Sequence, residues 1–468
     1  MVITQSPALG AAYNFVEWAI RIGALIVVPW RRTPDATRSW LLLIFFLPVP
    51  GLLLLLAIGR PRFPAWREAR FQKMVHYFGE AAGRLEAAAP APPGDAAEFA
   101  RRLGYLPATA GNSVELIEDY DATIDRLCAD IDAARLHVRL LVYIFASDAT
   151  GRKVAAALKR AVARGVACQV MIDPVGSHKG FKRTMRLLAD AGVETRAALP
   201  FRLLRQRTRR DMRNHRKLFV IDGAIGYAGS QNIIDKDFRP GVVNRELVAR
   251  VTGPAVAAME TAVRADWYME TERLAGEPLT IPAPAGAAVT QLLPSGPDYP
   301  LEGFETLLVW QLHQARDRVT IVTPYFVPDE DVLGAMRSAV ARGVAIDLVV
   351  SAVADQPLVN LAQSSYYDDL LTAGVGIHQF RDFLLHAKTI SIDGTLAIVG
   401  SSNVDLRSFQ LNEEASLLLY DAPSVAAVER VHDGYLAGSD RLTRDDWRRR
   451  SPLRKLLENI TRLFSALL

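Results

Sequence analysis

Apolar residues follow two different patterns along this chain. Near the N-terminus they run together: Trp40 to Ile58 carries no charge, close to the ~20 residues a helix needs to span a bilayer. Phe15 to Val28 is almost as apolar but holds Glu17 and Arg21, one helical turn apart and able to pair on a face lying in the interface. Beyond the Ala/Pro-rich stretch from Ala87 to Ala97, short apolar runs alternate with helical segments. Val138 to Phe145 is followed by AVARGVA at Ala161 to Ala167 and by Cys168 to Ile172, and the same order recurs as Val319 to Phe326, AVARGVA at Ala339 to Ala345, and Ile346 to Val350. Each reads as strand, helix closed by Arg-Gly, and strand.

This repetition predicts an α/β fold class, with two pseudo-symmetric α/β/α sandwich halves at 107–280 and 285–440 meeting across a pseudo-two-fold axis. Residues 1–60 are expected to form a pair of membrane segments, and 61–106 a linker or juxtamembrane stretch. In the last segment, 441–468, Leu453, Leu456, Leu457, Ile460, Leu463 and Leu467 fall at helical spacing beside Arg454, Lys455 and Arg462. That is the pattern of an amphipathic membrane-surface helix, with packing against the protein as the alternative.

Composition changes this picture little. A chain of 468 residues that is 50% hydrophobic and 23% charged holds a substantial core beside a small membrane part. Only Cys128 and Cys168 are present, which argues against a disulfide framework and fits a reducing compartment. The net charge of +4 is mild, so local clusters matter more than the total. No basic residue precedes the first apolar stretch, so no cleaved signal peptide is expected. Arg60, Arg62, Arg67, Arg70 and Lys73 after the second segment predict a catalytic part on the cytoplasmic side. Arg31, Arg32 and Arg38 in the connecting loop, with Pro48, Pro50 and Gly51 interrupting the second segment, keep a re-entrant hairpin open. Arg202, Arg205, Arg207, Arg209, Arg210 and Arg213 form a basic run suited to anionic head groups or to a solvated loop.

The candidate chemistry is also written twice. His215, Lys217, Asp222, Gly229, Ser230 and Asn232 recur at the same spacing as His386, Lys388, Asp393, Gly400, Ser401 and Asn403, in a chain with only 8 histidines. His and Lys two apart on a strand share a face, and Asp222-Gly223 and Asp393-Gly394 signal two-residue hairpin turns. A regular turn sets Ser230 opposite His215 and Ser401 opposite His386, with Asn232 and Asn403 beyond them. The grouping suits a phosphate: Lys and Asn donate to phosphoryl oxygens, and His supplies a nucleophile or an acid. Nothing in it has metal-ligand spacing, so neither metal nor cofactor is expected. Asp222 and Asp393 are counted with the catalytic set, and a purely turn-forming role is the alternative.

These motifs resemble the HKD signatures of the phospholipase D superfamily, and the whole chain resembles bacterial cardiolipin synthases. The resemblance is carried by Asn214-His215-Arg216-Lys217, by Thr323-Pro324-Tyr325-Phe326-Val327-Pro328-Asp329, by Leu411-Asn412-Glu413-Glu414, and by the apolar N-terminus. It implies two phospholipase D-like halves and transfer of a phosphatidyl group between two phosphatidylglycerols in a bacterial inner membrane. His215 is expected as nucleophile, His386 as acid and later base, and Lys217, Lys388, Asn232 and Asn403 as phosphate ligands, with Ser230 and Ser401 assisting. A carboxylate orients each histidine in the superfamily: Glu414 matches that place for His386, and Glu246 for His215. Water, another alcohol or phosphatidylethanolamine as co-substrate defines the alternative enzymes, and a non-catalytic anionic-lipid scaffold is the alternative from another class. Nucleic acid is not expected as a partner, since no broad basic groove is evident, and the oligomeric state is left open.

Overall fold

The computed structural model describes residues 7–30, 34–59, 63–92, 94–200 and 211–463. One continuous mixed sheet runs through both halves. From the centre outward the first half places Thr109–Ile117, Val248–Thr252, Ile225–Gly229, Leu218–Ile221, His137–Val142, Ala167–Ile172 and Glu194–Ala197. The second half repeats that order with Ala288–Ser295, Asn412–Leu419, Leu396–Gly400, Thr389–Ile392, Arg318–Val322, Ala345–Ser351 and Gly376–Phe380, and adds Ser439–Leu442 at its edge. Thr109–Ile117 and Ala288–Ser295 pair antiparallel and close the seam. The predicted pseudo-symmetric α/β halves are therefore present, and main-chain hydrogen bonds join their sheets into one.

Both predicted strand-helix-strand units form: His137–Val142 pairs parallel with Ala167–Ile172, and Arg318–Val322 with Ala345–Ser351. The intervening helices, Ala149–Ala163 and Glu330–Ala341, start on capping aspartates, Asp148 and Asp329, whose side chains accept from main-chain N–H groups. Gly165 and Gly343 follow them at positive φ, a conformation an L side chain seldom adopts.

Two expectations are corrected here. Asp222 and Gly223 both lie at positive φ, and Ala224 N–H donates to the Ile221 carbonyl, as a tight turn requires. The ladder, however, pairs Ile221 with Ile225 and, in the second copy, Ile392 with Leu396. One extra residue enters each loop, so the expected His215–Ser230 and His386–Ser401 registers are lost. Residues 61–106 are also more than a linker. Ala65–Ala88 is a helix whose Phe71, Met74, Phe78, Ala81 and Leu85 lie in a core shared by the two halves, against the buried helix Ala255–Thr271. Asp95–Gly104 packs its Ala100 and Leu103 into the second core.

The N-terminal part also departs from expectation. Trp40 to Ile58 is not one helix: Pro34–Phe46 and Pro48–Ile58 are separated at Leu47, because the residue before a proline is pushed out of the helical region. Gly51 lets these two helices close on Ile44. Pro7–Val27 packs beside them, with Glu17 and Arg21 paired at 3.2 Å as expected. No helix among the described residues is long and apolar enough to cross a membrane. Phe15, Trp18, Trp30, Phe46, Leu53 and Leu56 are exposed.

Candidate active site

His215 and His386 line one cavity of about 510 Å³ where the halves meet, together with Asn232, Asn403, Asn244, Asn412, Tyr143 and Tyr325. Each histidine arrives on a short segment paired with the opposite half. Arg213–Asn214 runs parallel to Asn412–Glu413, and Leu384–Leu385 runs parallel to Asn244–Arg245. The His215 N–H then donates to the Glu413 carbonyl, and the His386 N–H to the Arg245 carbonyl, both at 2.8 Å.

This cross-pairing corrects the expected carboxylate assignment. His215 Nδ1 lies 2.9 Å from Glu414 Oε1, and His386 Nδ1 lies 2.8 Å from Glu246 Oε1. Glu246 and Glu414 each orient the histidine of the other half, since the strand pairing that carries them crosses the interface. Asn412 Nδ2 supports Glu414 at 3.3 Å, and Asn244 Nδ2 supports Glu246 at 3.4 Å. These asparagines went unassigned in the sequence, although the repeated Asn-x-Glu was a signal that could have found them.

Electrostatics fit two neutral imidazoles with Nε2 open to the cavity. Burial pushes His215 and His386 down to about 4, against the pull of their glutamates. Burial works against charge on both glutamates too, yet the adjoining histidine holds each below the ordinary carboxylate range. An ionised carboxylate accepting from Nδ1–H fixes the tautomer that presents a lone pair at Nε2.

Lys217 and Lys388 are buried, each Nζ donating to the carbonyl of its own motif histidine, Lys217 at 2.7 Å and Lys388 at 2.5 Å. Burial lowers Lys217 to about 7 and Lys388 to about 8. Asn232 Oδ1 accepts from the Ile144 N–H at 3.0 Å, which turns its amide nitrogen toward other partners. Ser230 and Ser401 face the glutamates rather than the cavity. Ser401 Oγ donates to Glu414 Oε2 at 2.5 Å, and Ser230 Oγ exchanges hydrogen bonds with the main chain of Leu247.

Asp222 and Asp393 stand apart from the cavity, a further correction. The Asp222 carboxylate accepts from the N–H groups of Arg135, Leu136 and His137, and Asp393 from those of Arg316, Asp317 and Arg318. Each ties its hairpin to the start of a neighbouring strand. Tyr143 sets its ring edge against the His215 imidazole at 4.8 Å between centroids, whereas Phe326 belongs to the core. Of the predicted basic run, Arg213 is buried and pairs with Asp173 at 3.5 Å, while Arg202, Arg205, Arg207, Arg209 and Arg210 lie outside the described residues.

A family described as "Cardiolipin synthase, PLD-like domain" matches residues 127–267 and 308–434, more than half of the chain and both motifs. The chain belongs to the cardiolipin synthase, PLD-like family. Cardiolipin synthase A of Pectobacterium carotovorum subsp. carotovorum (strain PC1) is 32% identical over 486 residues, covering 97% of this chain and 99% of that protein. Cardiolipin synthase A of Serratia proteamaculans (strain 568) matches at the same identity and coverage. Among solved structures, a phosphatidylserine synthase from Haemophilus influenzae Rd KW20 superposes with a TM-score of 0.59 at 14% identity, over 80% of this family member and 100% of that chain. That likeness is one of fold.

Proposed function

We propose that the protein is a cardiolipin synthase that moves a phosphatidyl group from one phosphatidylglycerol to another. The observation that carries this reading is the pair of crosswise His–Glu dyads on one cavity, in a chain similar over nearly its whole length to curated cardiolipin synthases. His215 Nε2 attacks the donor phosphorus while the phosphorus–oxygen bond to glycerol breaks; the anionic phosphodiester raises the proton affinity of His386, which takes up a proton at Nε2 as the donor binds and gives it to the departing oxygen. A hydroxyl of the second phosphatidylglycerol then gives its proton to His386 and attacks phosphorus, and the nitrogen–phosphorus bond breaks. The products are cardiolipin and glycerol in equal amounts. Lys217, Lys388, Asn232 and Asn403 stabilise the five-coordinate transition state, so the donor set needs no metal or other cofactor.

The lipid substrate also supports a place at a membrane, on the cytoplasmic face of a bacterial inner membrane by the basic residues that follow the apolar N-terminus. The C-terminal helix Pro452–Arg462 favours this attachment. It turns Leu453, Leu456, Leu457 and Ile460 outward and buries Glu458 between Arg450 and Arg454. An exposed leucine row over a buried polar contact suits a lipid surface better than water. Ser39 Oγ donates to the Leu463 carbonyl at 2.9 Å, which joins this helix to the apolar N-terminal helices.

Purified protein in detergent, given phosphatidylglycerol alone with EDTA present, tests the reading. Cardiolipin and free glycerol should appear one to one. Phosphatidic acid in place of cardiolipin assigns the enzyme to water as acceptor, no turnover in any condition favours a lipid-binding scaffold, and activity restored only by a divalent ion contradicts the metal-free mechanism.

A further inference from the structure

Arg216 is fully buried, lies between the two reactive residues of the first motif, and takes no part in the mechanism above. Its Nε donates to the main-chain carbonyl of Glu414 at 2.8 Å, Nη1 to Asp266 at 2.5 Å, and Nη2 to Glu413 at 2.7 Å and to the Ser295 carbonyl at 3.1 Å. Burial opposes the guanidinium charge, but Asp266, Tyr299 and Glu413 around it keep the group cationic.

The contacts continue outward. Glu413 and Asp298 are adjacent carboxyls, both pushed up by burial, and Glu413 Oε1 has no donor of its own. Asp298 accepts from Arg67 Nε at 3.1 Å, and Arg67 Nη1 reaches Glu270 at 2.9 Å. A chain of buried polar contacts therefore runs from the Ala65–Ala88 helix to the main chain of Glu414.

Among the described residues the second motif has no equivalent. Ala387 stands where the first motif has Arg216. Arg245 stands where the other half has Glu413, and its guanidinium lies over the Phe383 ring at 5.3 Å.

We propose that Arg216 is a positioning residue for the first dyad alone, fixing Glu414 and through it His215, and that Arg67 tethers this support to the helix entering the catalytic part from the apolar N-terminus. This rests on reading His215 and Glu414 as a working pair. It also makes the two chemically repeated motifs unequal: one dyad is braced by a charged network, the other by local contacts only.

The test is glycerol release from phosphatidylglycerol by the full-length protein in detergent. Arg216→Lys should lower kcat about 10- to 100-fold, the range typical when an outer contact that orients a reactive group is lost, while KM stays within about threefold. Glu413→Gln keeps the shape and should lower kcat in the same direction; it serves if Arg216→Lys does not melt cooperatively. Combined with Glu414→Gln, either change should cost nothing further, since the carboxylate it serves is gone. Combined with Glu246→Gln, the losses should multiply. Equal multiplication in both backgrounds, a raised KM at unchanged kcat, or wild-type kcat in Glu413→Gln overturns the proposal. Arg67→Lys should show a smaller fall with the same dependence on Glu414, and a normal kcat removes the tether. Arg245→Ala keeps the main-chain carbonyl that accepts from the His386 N–H and should lower kcat by less than Arg216→Lys; an equal or larger fall contradicts the asymmetry. Glycerol release accompanied by phosphatidic acid instead of cardiolipin would count against the proposed acceptor and leave this comparison intact.

Discussion

His215 Nδ1 and Glu414 Oε1 lie 2.9 Å apart although 199 residues separate them in the chain. The reciprocal contact joins His386 to Glu246 across 140 residues. Each reactive imidazole is thus oriented by the half that does not carry it, and each dyad exists only when the halves are docked. Glu414→Gln and Glu246→Gln keep size and a hydrogen-bonding group but remove the charge that selects the tautomer. Each should lower kcat by on the order of 10² to 10⁴ with little change in melting temperature. A loss confined to one of the two would contradict the reciprocal arrangement.

The lysines set the behaviour at high pH. Burial lowers Lys217 to about 7 and Lys388 to about 8, and only the protonated amine attracts a phosphodiester. For the free enzyme kcat/KM should therefore fall as pH rises through 7 to 8. A profile flat to pH 9 would show that the lysines remain charged and that this reading of their burial is wrong.

Stability should change on the acid side. His215 and His386 are held at about 4, and burial takes His432, bonded to Thr389 and Ser391, to about 3. Below about pH 6.5 the unfolded chain binds protons at these positions while the folded chain does not. The stability they contribute is complete above 6.5, declines as pH falls toward 4, and levels off below. Melting temperature measured from pH 7.5 to 4.5 should drop over that window, and His432→Gln should flatten the drop. An unchanged slope in that variant contradicts the assignment.

Asp222 and Asp393 separate stability from chemistry. Each carboxylate accepts from three main-chain N–H groups, so Asp222→Ala or Asp393→Ala leaves those donors unsatisfied, at about 1–3 kcal/mol for each one that water does not reach. The melting temperature should fall while kcat of the folded fraction stays within about threefold. Loss of kcat at full stability would return these residues to the catalytic set.

The sequence showed the repeat because both halves use the same letters for the same strand-helix-strand unit and the same motif. It could not show which glutamate meets which histidine. That choice depends on Arg213–Asn214 pairing with Asn412–Glu413, a long-range contact with no local signature. The helix Ala65–Ala88 was legible in part: Phe71, Met74, Phe78, Ala81 and Leu85 step by three and four, the period of a buried helical stripe. Its charged and alanine-rich remainder, and the linker composition just after it, drew attention away from that stripe. The break at Leu47 was written in Pro48, but a count of uncharged residues passes over it.

That buried stripe fixes where the chain can be shortened. Removing residues 1–62 keeps Phe63, which packs with Leu199 and Met212, and all of the Ala65–Ala88 helix. The product should melt cooperatively and keep weak activity on dispersed lipid. Removing residues 1–88 uncovers the apolar surface under Phe78, and the single change Phe78→Ala should itself cost about 3–5 kcal/mol. A longer truncation as stable as the shorter one would place this helix outside the core.

The central claim is that phosphatidyl transfer passes through a bond to one histidine while the histidine of the other half moves the proton. The direct measurement uses His386→Ala and a phosphatidyl ester whose leaving group needs no protonation, with the trapped species mapped by digestion and mass spectrometry under alkaline conditions, where a phosphohistidine survives. A phosphatidyl adduct on His215 that accumulates, and its absence together with all turnover in His215→Ala, is the predicted result. An adduct on His386 in the converse experiment would reverse the two roles, and no adduct on either histidine would contradict the covalent route.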